Sequence, residues 1–95
     1  MARHSTTGYI SSNGLEVTTK PMQDIIPQPP AHWSLGYTFE KFSFYNENAC
    51  SVIINGKYPI TISAGRGFEV GYDDVPIESF VIIEAQTPYE FIASY

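Results

Sequence analysis

An all-β fold, a small antiparallel β-sandwich or barrel carrying an extended N-terminal arm, is what these 95 residues predict, on three observations. Short runs with apolar residues at every second position recur at intervals of roughly ten residues, each bounded by Gly, Pro, Asn or Asp. No window shows the 3.6-residue period of an amphipathic helix, and prolines interrupt the few candidates. Thirteen of the fourteen aromatic residues lie from Trp33 onward, so the means of making a core are concentrated there. The predicted division is residues 1–34, an extended arm with a Pro-rich linker, and residues 35–95, the sandwich domain.

Within the arm, two short alternating stretches, residues 8–11 and 15–20, flank Ser12-Asn13-Gly14. This is hairpin-turn chemistry, because Asn and Gly accept positive φ. A lone two-stranded hairpin is barely stable in water, so the arm is expected to order only against a partner's surface. Its predicted partner-binding residues are Tyr9, Ile10, Leu15, Val17, Ile25, Ile26 and Trp33. Ile25-Ile26-Pro27-Gln28-Pro29-Pro30 then reads as a semi-rigid spacer, since proline fixes φ and pushes each preceding residue toward extended geometry.

Six strands are expected from residue 35 on. Leu35, Tyr37 and Phe39 point one way, Glu40-Lys41 breaks the phase, and Phe42 and Phe44 resume it, the pattern of a bulged strand. Residues 51–54 and 57–62 are β-branched runs joined by Asn55-Gly56, a strong hairpin signal. Pro59 has no amide hydrogen, so its strand belongs at a sheet edge or turns that position away from its neighbour. Ala64-Gly65-Arg66-Gly67 leads into residues 68–72, and Asp73-Asp74-Val75-Pro76 into residues 79–84. Ala85-Gln86-Thr87-Pro88 opens the last strand, where Tyr89, Phe91, Ala93 and Tyr95 share a face.

Ten acidic residues against five basic ones give a net charge of −5, all of it carried from Trp33 onward. That sign repels phosphate backbones and argues against a nucleic-acid partner. Cys50 is the only cysteine, so no intramolecular disulfide is possible, which favours assembly in a reducing cytosol. Neither a signal-peptide core nor a membrane-length apolar run is present, and a soluble protein without a membrane partner is expected. A sandwich of roughly 60 residues sits near the lower limit for a lone core. Oligomerisation or docking on a larger surface is the natural remedy.

Candidate chemistry is sparse. Gly65-Arg66-Gly67 offers backbone amides and a charge to an anion, but it lacks the following helix and lysine of a phosphate loop and reads as a tight turn. Asp73, Asp74 and Glu78 lack the ligand spacing of a calcium loop and read as a solvated turn. His4 and His32 have no metal-ligating neighbours at suitable spacing. Cys50 has no histidine base within the β unit. No catalytic, cofactor-binding or metal-binding residue is assigned, and a non-enzymatic protein without cofactor is expected. Tyr37, Tyr45, Tyr58, Tyr72, Tyr89 and Tyr95 are expected to sit mostly half-buried in a sheet. Any exposed ones would stack on sugars, giving the alternative reading of a carbohydrate-binding module on a tail or fibre.

The runs Phe42-Ser43-Phe44-Tyr45-Asn46, Val52-Ile53-Ile54-Asn55-Gly56, Ala64-Gly65-Arg66-Gly67-Phe68, Ser79-Phe80-Val81-Ile82 and the closing Tyr89-Glu90-Phe91-Ile92-Ala93-Ser94-Tyr95 resemble the small β-sandwich virion proteins of tailed bacteriophages. These are the capsid decoration (cement) proteins and related head or tail accessory proteins. The resemblance covers about residues 35–95. It implies a structural part of the virion, assembled in the host cytoplasm and present in many copies, with a homo-oligomer, a trimer foremost. Its implied partners are the major capsid protein or other virion proteins, clasped by the arm.

Overall fold

The computed structural model describes residues 8–34 and 36–95, and among them the chain forms two antiparallel sheets and no helix. The strands are β1 (Tyr9–Ser11), β2 (Glu16–Val17), β3 (Gln23–Asp24), β4 (Lys41–Asn46), β5 (Cys50–Ile54), β6 (Pro59–Ile62), β7 (Phe68–Val70), β8 (Phe80–Ile82) and β9 (Pro88–Ser94). One sheet has the order β1-β9-β4-β7, with β2 also paired to β9. The other has the order β3-β8-β5-β6. The expected all-β sandwich is therefore present, with six strands after residue 35.

Period-two alternation builds the core directly. In β4, Phe42, Phe44 and Asn46 are buried while Lys41, Ser43 and Tyr45 face out; in β9, Tyr89, Phe91 and Ala93 are buried. Phe80 of the second sheet reaches across to stack on Phe42 with ring centroids 5.0 Å apart, and it packs against Phe44 at 4.7 Å. Phe42 stacks in turn on Phe91 at 5.6 Å. Each such fully buried ring contributes roughly 1.5–3 kcal/mol through removal of apolar area from water.

Turn chemistry places the connections as expected. Asn55 and Gly56 both take positive φ, 55° and 70°, and the Lys57 N–H donates to the Ile54 carbonyl to close the β5–β6 turn. The Asn55 side chain then ties this turn to the next loop, accepting from the Glu78 and Ser79 amides and donating to the Pro76 carbonyl. Strand β6 lies at the edge of its sheet, where Pro59 costs no ladder hydrogen bond.

Three expectations are corrected. Residues 8–26 are not left to find order on another molecule: three short stretches of them, β1, β2 and β3, pair antiparallel with β9 and β8 of the same chain. Tyr9 pairs with Ser94, Ile10 with Ala93, Glu16 with Tyr89 and Gln23 with Ile82. Ile25 lies in the core at 6% exposure. The segment needs no core of its own, because β9 and β8 offer unpaired edges and an apolar slot that it fills. Second, residues 8–11 and 15–20 do not pair with each other as a hairpin. Ser12-Asn13-Gly14-Leu15 is instead an outward bulge between β1 and β2 on one edge of β9, with Asn13 and Gly14 in the positive-φ conformations expected of a turn.

Third, no single bulged strand runs through Tyr37 to Phe44. Residues 36–38 form no strand, Phe39 makes only an isolated bridge with Ile77, and β4 begins at Lys41. The reason is packing: Tyr37 stacks on Phe39 at 5.1 Å and meets Trp33 and Tyr95 edge-on, closing one end of the sandwich. Leu35, His4 and the rest of residues 1–7 lie outside the described residues.

Candidate functional site

Two hydroxyls, unremarkable in the sequence, fasten the N-terminal segment. Ser12 Oγ accepts the Phe91 N–H at 3.1 Å and donates to the Gly14 carbonyl at 2.6 Å, so the side chain replaces the backbone partner that the bulge removes. Thr18, wholly buried, accepts the Thr87 N–H on Oγ1 and donates to the Glu84 carbonyl, both at 2.9 Å. Its strands β1 and β2 thus become the outer edge of the five-stranded sheet and shape that sheet's exposed face, while β3 edges the other sheet.

That face is the candidate site. Since β9 turns Tyr89, Phe91 and Ala93 inward, its even-numbered residues face outward and the register sets their neighbours. Tyr9, Ser94 and Lys41 form one row across the strands; Ser11, Ile92, Ser43 and Glu69 form the next; Glu90 stands beside Tyr45 and Pro88 beside Val17. Tyr9, Leu15, Val17, Tyr45 and Ile92 are all exposed large apolar groups on or beside this face. An exposed apolar cluster on one sheet face is the usual mark of a contact surface.

The predicted partner-binding residues divide accordingly. Tyr9, Leu15 and Val17 are exposed. Ile10, Ile25 and Ile26 pack on this chain's own core, and Trp33 packs on Tyr37 and Tyr95. Of the six later tyrosines, Tyr89 is buried and Tyr37 and Tyr95 are half-buried, whereas Tyr45, Tyr58 and Tyr72 are exposed. The exposed three form no common platform: Tyr45 stands on the five-stranded sheet, Tyr58 precedes edge strand β6 of the other, and Tyr72 follows β7 beneath the Lys41 ammonium, 4.7 Å from its ring centre.

The remaining candidates have structural work. Asn46, fully buried at the end of β4, donates to the Asn48, Ile62 and Ser63 carbonyls and accepts the Gly67 N–H at 3.0 Å. The Gly65 N–H donates to the Asn46 carbonyl and the Arg66 N–H to that of Ser63. All three amides of Gly65-Arg66-Gly67 are therefore engaged, leaving no anion cradle. Asp74 Oδ2 caps the Gly71 N–H at 2.9 Å, as a turn residue does. Among the described residues no three His, Cys, Asp or Glu side chains gather into a metal-holding group. Cys50 is buried, and burial first, then the Glu84 charge, pushes its thiol pKa up, the opposite of nucleophile activation.

Comparison with protein-family models, with curated proteins and with solved structures returned no match. The residues alone carry the functional reading.

One further feature stands on the same face. Between Tyr9 and the loop containing Gly71 and Asp74 lies an open depression of about 550 Å³, with Ser94 among its lining residues. Ser94 is 1% exposed, and its hydroxyl oxygen has no hydrogen-bond partner. An orphaned buried hydroxyl costs about 1–3 kcal/mol.

Proposed function

We propose that this chain is a non-enzymatic structural protein of a bacteriophage virion, a decoration or accessory subunit that seats on capsid or other virion proteins. One observation carries the reading: the five-stranded sheet, completed by the chain's own N-terminal segment, presents Leu15, Val17, Tyr45 and Ile92 outward, each about half exposed to water. The resemblance of residues 35–95 to phage virion sandwiches supports the assignment of partner. Attachment then occurs through a preformed sheet face, so little ordering entropy opposes it. Tyr9, Leu15 and Val17 keep a place in the contact, as part of that face. Many copies on a symmetric shell, as trimers in this reading, convert modest single contacts into firm retention.

The test is attachment to particles stripped of this protein. Paired Val17→Lys and Tyr45→Lys substitutions, on positions already in water, are expected to abolish attachment while leaving the circular dichroism spectrum and melting temperature unchanged. Equal attachment by the folded double variant would overturn the reading.

A further inference from the structure

We infer that the depression bordered by Tyr9, Ser94 and Asp74 is a binding site for a neutral saccharide, one pyranose ring lying over Ser94. It occupies the opposite end of the face from Val17 and Tyr45, and it does not depend on the virion role. The register makes the depression: short Ser94 stands between two long neighbours, Tyr9 on β1 and Lys41 on β4. Their strands are two spacings apart, roughly 10 Å. Once the side chains that cover Ser94 move apart, that span admits a sugar ring against an aromatic wall.

The chemistry selects the ligand. Tyr9, 73% exposed, offers a broad apolar face with a polar tip, which suits the C–H face of a pyranose. Glu69 and Asp74 supply acceptors, and the Gly71 amide holds the Asp74 carboxylate in place. Lys41 supplies donors, and its ammonium is positioned over Tyr72. A ring of hydroxyls needs both kinds of partner. Two carboxylates disfavour anionic ligands, and the serines of the floor disfavour purely apolar ones.

The Ser94 hydroxyl points to occupancy rather than to packing alone. It is sealed from water and unpartnered, on the outward side of β9. A ligand that parts Tyr9 and Lys41 meets it directly, and one ligand hydroxyl then satisfies it.

The experiment is an amide NMR titration of the full chain with maltotriose, cellotriose and chitotriose at millimolar concentration. At least one is expected to shift amides of residues 9–11, 41–43, 69–74 and 92–94, with Tyr9→Ala weakening binding by about tenfold. Ser94→Ala is expected to weaken binding without lowering the melting temperature, which a purely structural serine would not do. No shift at these amides with any of the three sugars overturns the inference, as does undiminished binding by Tyr9→Ala. Loss of particle attachment in Tyr9→Ala, with no sugar response from the unsubstituted chain, would also overturn it, assigning the depression to a protein contact.

Discussion

Thr18 and Thr87 hold each other at the corner where the chain passes between sheets: the Thr18 N–H donates to the Thr87 carbonyl at 3.0 Å, and the Thr87 N–H donates back to Thr18 Oγ1 at 2.9 Å. Replacing Thr18 by Ala leaves a buried amide without a partner. A loss of about 2 kcal/mol in urea unfolding is expected. Deleting residues 1–26 removes Ile25 from the core and bares the edges of β9 and β8, so the truncated chain is expected to lose its dispersed NMR spectrum or aggregate. A folded, soluble truncation would show that the segment is dispensable.

Asn46 joins the end of β4 to the end of β6 and to the loop after it through its side-chain amide. The Asn46→Ala variant strands the Gly67 amide and several carbonyls at once. A stability loss of about 2–3 kcal/mol is expected, read from the shift in denaturant midpoint at unchanged slope.

Gly65 and Gly67 separate two costs that sequence alone does not distinguish. Both have positive φ, 74° and 71°, but a Cβ on Gly67 would lie 2.7 Å from the Phe44 carbonyl oxygen, whereas one on Gly65 meets open space. Gly65→Ala is expected to cost about 1 kcal/mol from backbone strain alone. Gly67→Ala adds about 1–3 kcal/mol of overpacking against a strand backbone that cannot yield. Equal melting temperatures for the two variants would contradict this geometry.

Burial, then the Glu16 charge and the hydrogen bond to it, push Tyr89 up to about 12. The folded state therefore keeps its proton where the unfolded chain, near 10, releases it. Stability from this group is fully present below pH 10 and falls as pH rises toward 12, because the unfolded state binds fewer protons in that window. Tyr89→Phe is expected to flatten the decline in melting temperature above pH 10.

Most of residues 36–95 could be read from sequence because local rules agree there: Asn55-Gly56 fixes a turn, Pro59 an edge, and alternation in β4 and β9 the buried faces. The N-terminal segment could not. Its strands are two or three residues long, and its stabilising partners lie far away in the chain, so no local pattern announces them. Ser12 and Thr18 look like ordinary loop hydroxyls until Phe91 and Thr87 are placed beside them. The exposed face was half visible, since Tyr9, Leu15 and Val17 belong to it. The unsatisfied Ser94 hydroxyl is invisible without the register that sets it between Tyr9 and Lys41.

The pairing of Ser12 with Phe91 joins positions 79 apart in the chain. During synthesis the opening strands must wait, unpaired, until the final ones leave the ribosome. Closure is thus a late, high-contact-order event that sets a slow folding rate. Until β9 is in place, β1, β2 and one side of β4 have no partner in the sheet.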